Sequence, residues 1–126
     1  MTVYVDDSNI QATVPNGRVS HTSRWSHLFA DTEEELHAFA ARLGLKRSYF
    51  QGGEKHGWRW HYDVTQGMRW KAIRMGAREV TWRQSVELML RRAGRPPVSA
   101  EHRAEIDRLF PLEAEEPVQG EIWSEG

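Results

Sequence analysis

The feature that most constrains the fold of this chain is the strict alternation of WRWHYDVT, residues 58–65. Large apolar side chains stand at positions 58, 60, 62 and 64, with polar side chains between them. A period of two is typical of a β-strand that buries one face. The polar face then carries His61 and Asp63 side by side, about 7 Å apart by twice the rise per residue. Such a pair is close enough to share a metal ion, a water or a substrate.

Four helices are predicted from capping residues and from apolar side chains at helical spacing. They follow residues 32, 65, 81 and 99 and extend to about residues 43, 75, 93 and 109. Asp31 or Thr32 caps the first helix, and Thr81 with Gln84 forms a capping box for the third. On the third helix, Glu87 falls on the face that is predicted to be exposed.

Short segments rich in β-branched and aromatic residues predict strands at residues 2–6, 24–30, 58–64 and 78–82. The polar residues 8–24 contain the run Pro-Asn-Gly, which predicts either a long loop or a hairpin. Strands that alternate with helices are typical of an α/β domain. We therefore expect an α/β fold with a small, mainly parallel sheet flanked by helices.

The chain is expected to be a single domain with two C-terminal additions. Residues 1–95 are predicted to form the α/β domain, residues 96–110 an appended helix, and residues 111–126 an acidic tail without stable structure. Trp123 in this tail resembles a short anchor for a protein partner.

Composition and charge narrow the chemistry. The chain has no cysteine, which excludes disulfides, thiolate zinc sites and cysteine nucleophiles. No long apolar run follows the acidic start MTVYVDD, so we expect no signal peptide, no membrane contact and a cytoplasmic protein. Residues 41–95 hold 13 basic and 4 acidic side chains, whereas both flanking segments are acidic. A basic middle permits phosphate-bearing ligands without requiring them.

Acidic side chains collect at the ends of the predicted strands. Asp6 and Asp7 follow the first strand, Asp31 follows the second, and Asp63 lies near the end of the third. In a parallel sheet, the carboxyl ends of the strands meet at one edge, where ligands bind. We therefore expect these four carboxylates to converge.

Five motifs stand in order along the chain: YVDD at 4–7, WSHLFAD at 25–31, EELHAFAARLG at 34–44, HYD at 61–63 and GAREV at 76–80. Together they resemble the family called domain of unknown function 4031, which is found in bacteria and their phages. The resemblance spans residue 3 to about residue 86, and GGEKHGWRW before HYD looks like an insertion. It supports the fold and a polar site but assigns no reaction. The site positions that it implies are Asp6, Asp7, His27, Asp31, His37, His61 and Asp63.

Histidine and aspartate side chains in this combination favour a metal-dependent hydrolase, if the chain is an enzyme, acting on a phosphoester or a nucleotide. The ion is predicted to be Mn²⁺, Zn²⁺, Fe²⁺ or Mg²⁺. The predicted metal ligands are Asp6, Asp7, His27, Asp31, His61 and Asp63. The predicted catalytic side chains are His61, Asp63 and His37, and the arginines predicted to contact phosphate are Arg59, Arg69 and Arg74.

Two other functional classes stay open. Residues 68–83 interleave basic side chains with Trp70 and Trp82, which suits a nucleotide- or nucleic-acid-binding module without catalysis. In the helical part of this segment the arginines are predicted to face outward. The third class is a protein-interaction module that docks through the C-terminal tail.

The candidate site residues also have structural interpretations. An aspartate at a helix start, such as Asp31, is typically a cap, and His37 suits an exposed helix face. A neighbouring histidine and aspartate, such as His61 and Asp63, can form a hydrogen-bonded pair that orders a turn. Exposed positions are expected for the remaining histidines, His21, His56 and His102.

Overall fold

The computed structural model describes residues 2–8, 10–16 and 19–112. Most of the predicted acidic tail, with Trp123, lies outside the described residues, as does the side chain of His21.

The four predicted helices are present as α1 Glu33–Leu43, α2 Gln66–Arg74, α3 Trp82–Arg92 and α4 Ala100–Leu109. Each begins where a hydroxyl side chain accepts a backbone N–H, and the cap of α1 is Thr32 rather than Asp31. Helix α1 ends at Gly44, whose φ of 98° lies in the left-handed region that glycine adopts without strain. No helix in the described part of the chain is long and apolar enough to cross a membrane.

The strands within the described residues form one mixed sheet: β1 Val3–Val5, β2 Ile10–Asn16, β3 Val19–Ala30, β4 Phe50–Gln51, β5 His61–Thr65 and β6 Arg78–Glu79. Their order is β4-β5-β3-β1-β6, and β2 also pairs with β3. The pairing of β1 with β6 is parallel, and the other pairings of these strands are antiparallel. The α/β class is confirmed, whereas the prediction of a mainly parallel sheet is wrong.

Two reversals of chain direction explain the difference. Strands β2 and β3 pair as a hairpin, one of the two structures predicted for this polar segment, so β3 runs antiparallel to β1. Between α1 and β5, the short strand β4 adds another reversal, so β5 also runs antiparallel to β3. Strand β5 is shorter than predicted because residues 57–59 form a 3₁₀ turn.

The sheet lies between two pairs of helices. One face, which includes Tyr62 and Val64, packs against α1 and α2. The other face packs against α3 and α4, and there the rings of Tyr4 and Phe29 stack with centroids 5.0 Å apart. Because side chains alternate along a strand, the polar residues of β5 lie on the face that α3 covers.

Glu87 on α3 is buried, not exposed as its helical position predicts. Its carboxylate accepts hydrogen bonds from the backbone N–H groups of Val98 and Ser99, each at 3.0 Å, and from Nε of Arg103 at 3.3 Å. The prediction is wrong because helical spacing contains no information about the connection to α4, which folds back over this side of α3. Glu87 thereby joins α3 to the start of α4.

We expect Glu87→Ala to lower the free energy of unfolding by about 3 kcal/mol, because the change leaves buried donors without an acceptor. Urea denaturation followed by circular dichroism measures this value. The matched control is Glu54→Ala, an exposed loop carboxylate, with an expected change below about 0.5 kcal/mol. Equal unfolding midpoints for the two variants would contradict the role assigned to Glu87.

Candidate functional site

The register of three neighbouring strands places polar side chains in one row on the α3 face. Val5 of β1 pairs with Leu28 of β3, and the N–H of Asp6 donates to the carbonyl of His27 at 3.0 Å. On its other side His27 pairs with Asp63 of β5. Asp6, His27 and Asp63 therefore follow one another across β1, β3 and β5.

His61 joins this row from two residues along β5. The side chains of His27, His61 and Asp63 each offer a possible metal-binding atom, and these three atoms lie within 4.8 Å of one another. Nε2 of His61 is 3.2 Å from Oδ1 of Asp63. The rings of His27 and His61 lie perpendicular, at 88°, with centroids 4.7 Å apart. We call these three residues the His/Asp cluster.

The spacing of the two rings suits a shared ion. Two imidazoles that bind one ion through nitrogens about 2.1 Å from it have ring centroids roughly 4.6 Å apart when the two bonds meet at a right angle, and roughly 5.3 Å apart at a tetrahedral angle. The observed 4.7 Å between His27 and His61 fits the first of these arrangements.

Both histidines of the cluster have an acceptor at Nδ1. Nδ1 of His27 lies 2.7 Å from Oδ2 of Asp6, and Nδ1 of His61 lies 2.6 Å from the carbonyl oxygen of Arg59. A carboxylate and a carbonyl only accept, so each Nδ1 carries a proton. The lone pair of neutral His27 is therefore on Nε2, the nitrogen then available as a ligand. Nε2 of His61 also faces an acceptor, Oδ1 of Asp63 at 3.2 Å, so an ion bound there would take the place of a proton between them. Histidine ligands of metals are commonly oriented in this way.

Asp6 is fully buried and orients His27. Its Oδ1 accepts from the backbone N–H of His27 at 2.8 Å and from Oγ of Ser8 at 2.9 Å. Burial by itself raises the pKa of this carboxyl, but the hydrogen bonds and the charge of His27 outweigh burial and hold the pKa below its ordinary value. For His27, burial lowers the pKa, whereas Asp6 and then the charge of Asp63 raise it, and the net result is an elevated pKa.

The structure does not bring the four predicted carboxylates together. Asp31 accepts a hydrogen bond from the hydroxyl of Tyr4 at 3.0 Å. Because β3 is antiparallel to β1, Asp31 follows β3 at the end of the sheet where β1 begins, whereas Asp6 lies where β1 ends. Asp7 is exposed, and its Oδ1 accepts from the N–H of Trp82 at 2.7 Å, at the first turn of α3. Asp6 and Asp63 remain as the carboxylates of the row.

His37, a predicted catalytic residue, lies on the other side of the sheet. Its Nδ1 is 2.8 Å from the hydroxyl of Tyr62, and its Nε2 is 3.4 Å from Oε1 of Glu33. Tyr62 faces α1 and α2, whereas the His/Asp cluster faces α3. His37 is thus separated from the cluster by the sheet, although both lie near β5.

The three predicted phosphate-binding arginines lie in different surroundings. Arg59 is exposed on the 3₁₀ turn next to His61. Arg69 is buried: its Nε donates to the carbonyl of Asp6 at 2.9 Å, and its Nη2 lies 3.3 Å from Glu79. The prediction that Arg69 faces outward is wrong, because its long side chain reaches back to the end of β1. Arg74 is exposed in the last turn of α2.

Arg92 on α3 supports the segment that leads into β5. Its guanidinium donates to the carbonyls of Trp58 and Trp60 at 3.0 and 2.7 Å, and its Cζ lies 3.4 Å from the centroid of the Trp60 ring. Burial lowers the pKa of Arg92 to about 9. Arg92 therefore holds the residues on both sides of Arg59, whose carbonyl orients His61.

His56, for which the sequence predicts an exposed position, is a neighbour of the His/Asp cluster. It is half-buried, and its ring centroid lies 5.6 Å from that of His61. Burial, then the charges of His61, Lys55 and Arg59, lower the pKa of His56. In the sequence, the only indication that His56 lies near the cluster is its position five residues before His61. The 3₁₀ turn that folds the segment back has no periodic pattern from which this contact could be predicted.

The protein has a mixed α/β fold, and a His/Asp cluster lies on one face of its sheet. The family model described as "Protein of unknown function (DUF4031)" matches residues 3–92. The chain therefore belongs to this family, and the resemblance carried by the five motifs is confirmed. No curated protein and no solved structure matches the chain.

We expect neutral His27 to carry its proton on Nδ1, although a free neutral imidazole prefers Nε2. Nitrogen-15 correlation spectra of metal-free protein in mildly alkaline solution report the tautomer of each ring. His37 is the internal control, because Glu33 at its Nε2 and the hydroxyl of Tyr62 at its Nδ1 favour the opposite tautomer. A proton on Nε2 of neutral His27 would contradict the orientation described above.

Proposed function

We propose that this protein is a metal-dependent hydrolase of phosphoesters, with His27, His61 and Asp63 as metal ligands. The observation that carries this proposal is the meeting of three ligand side chains whose imidazoles both have their Nδ1 atoms occupied. Two histidines and one carboxylate are a common ligand set of divalent metals, and three protein ligands leave positions for water and substrate.

The ligand types narrow the choice of ion. Imidazole nitrogens suit Zn²⁺ and Fe²⁺, and carboxylates suit Mn²⁺, whereas Mg²⁺ prefers oxygen ligands alone. Of the four predicted ions, Mg²⁺ is therefore the least suitable for this cluster. A divalent ion bound there supplies a nucleophile by lowering the pKa of a water to near neutrality.

Positive charge near the cluster supports an anionic substrate. Lys55 and Arg59 are exposed and lie close enough to His56 to lower its pKa. In the chain, only Trp60 separates Arg59 from His61. We assign to Arg59 the role of a phosphate contact, whereas Arg69 is already bonded to Asp6 and Glu79.

The remaining predicted site residues have other roles in this proposal. Asp6 orients His27 and does not bind the ion, because both of its oxygens already accept hydrogen bonds. Asp7, Asp31 and His37 are left out of the reaction because each has its own partner away from the cluster.

A second function, nucleic-acid binding without hydrolysis, is favoured by two exposed aromatic side chains. Trp70 and Trp82 are 48% and 54% exposed. The N–H of Trp82 bonds to Asp7, and Arg69, next to Trp70, bonds to Asp6, so both tryptophans lie near the end of β1. Exposed aromatic rings beside cations suit base stacking. Binding of single-stranded DNA that survives chelation, with no cleavage, would support this function over the hydrolase.

We expect chelator-treated protein to bind Mn²⁺ or Zn²⁺, and its melting temperature to rise with the added ion. His61→Ala is expected to weaken binding at least about tenfold, measured by calorimetric titration. His37→Ala is the matched control, because it removes a histidine from the opposite side of the sheet. Absence of binding to the unmodified protein, or equal affinities of the two variants, would reject the metal site.

We expect the metal-loaded protein to hydrolyse a simple phosphodiester such as bis(4-nitrophenyl) phosphate, and chelator to stop the reaction. Asp63→Asn should abolish turnover, because it removes the charged ligand. Arg59→Ala should raise KM more than it lowers kcat, because the guanidinium is proposed to hold the substrate. Turnover that survives both chelation and Asp63→Asn would exclude this cluster as the active site.

A further inference from the structure

His56 brings a third imidazole to the border of the His/Asp cluster. Its ring plane crosses that of His61 at 83°. Among the described residues, no backbone or side-chain group forms a hydrogen bond with the His56 ring. The other histidines with described side chains each have such a partner: His27, His37, His61 and His102. The nitrogens of His56 are thus available for a ligand.

The distance between His56 and His61 fits binding to a common ion. Their ring centroids are 5.6 Å apart, close to the roughly 5.3 Å expected for two imidazoles on one ion at a tetrahedral angle. His56 lies outside the group of side chains whose ligand atoms are within 4.8 Å of one another, so its side chain has to rotate toward the other three to bind the same ion. Such a rotation is within the motion of a half-buried loop side chain.

One short turn positions both rings. The carbonyl of His56 accepts from the N–H of Arg59 at 2.9 Å, and the carbonyl of Arg59 accepts from Nδ1 of His61 at 2.6 Å. Before this turn, the N–H of Gly57 bonds to the carbonyl of Gly53 at 2.9 Å, and both glycines have positive φ, 73° at Gly53 and 54° at Gly57. The backbone that supports His56 is therefore tied to the ring orientation of His61.

We propose that His56 is the fourth protein ligand of the ion bound by His27, His61 and Asp63. This inference rests on the metal site of the proposed function and adds to it. Among the described residues, no group forms a hydrogen bond with the ring, and its centroid lies 5.6 Å from that of His61. The segment GGEKHGWRW, which looks like an insertion, thereby contributes a ligand of its own.

A fourth ligand has consequences for the choice of ion. Zn²⁺ usually takes four ligands, so three histidines and an aspartate would fill its coordination shell and close the site. Ions that accept six ligands, such as Mn²⁺ or Fe²⁺, keep two positions, enough for a water and a phosphate oxygen. We therefore expect Mn²⁺ to support hydrolysis and Zn²⁺ to bind without supporting it.

The test compares His56→Ala with His102→Ala in the full chain after removal of metal by chelator. His102 is the matched control because it is a half-buried histidine between α3 and α4, bonded to Arg83. Calorimetric titration with Mn²⁺ is expected to show a Kd about tenfold or more higher for His56→Ala, and a Kd within about twofold of the parent for His102→Ala. The visible spectrum of bound Co²⁺ should change in His56→Ala alone, because one nitrogen ligand is lost.

The possible outcomes separate this inference from the proposed function. Equal Kd values and equal Co²⁺ spectra for the parent and His56→Ala would overturn the role of His56 and leave the three-residue site in place. Failure of the parent protein to bind Mn²⁺, Zn²⁺ and Co²⁺ would remove both. Melting curves recorded in chelator check that His56→Ala retains the parent fold.

Discussion

The buried carboxylate of Asp6 is the constraint on which the arrangement of the site depends. An ionised carboxylate inside a protein is costly unless hydrogen bonds replace the lost water. Asp6 obtains them from His27 and Ser8, and its carbonyl oxygen accepts from Arg69 on α2. One residue thus connects the end of β1 with β3 and α2. The same bonds that satisfy Asp6 also fix the ring of His27.

Antiparallel pairing explains why the cluster lies on a face of the sheet rather than at its edge. In a parallel sheet, strand ends meet and ligands collect beyond them. Here β3 passes between β1 and β5, so His27 in its interior stands between Asp6 and Asp63. A shift of one residue in either pairing would place His27 on the opposite side from its neighbours. The strand register is therefore as important to the site as the side chains themselves.

The incorrect sequence predictions concern features that no local sequence pattern encodes. Asp31 follows a strand as expected, but that strand is antiparallel to β1, so Asp31 lies at the opposite end of the strands from Asp6. Arg69 stands on an exposed-looking helix position, yet its side chain is long enough to reach Asp6. Glu87 is covered by the connection to α4. His56 returns to the cluster through a turn that has no sequence period. Each outcome depends on residues distant in the chain or on irregular backbone.

By itself, the sequence determined the features that depend on neighbours in the chain. Hydroxyl caps and apolar spacing placed all four helices, and alternation along β5 put His61 and Asp63 on one face. Five motifs were enough to indicate the family. Only the tertiary structure decided that His27, and not Asp31 or His37, joins that pair. The reason is that strand order, direction and register arise from packing and hydrogen bonds between distant segments, and no local pattern encodes them.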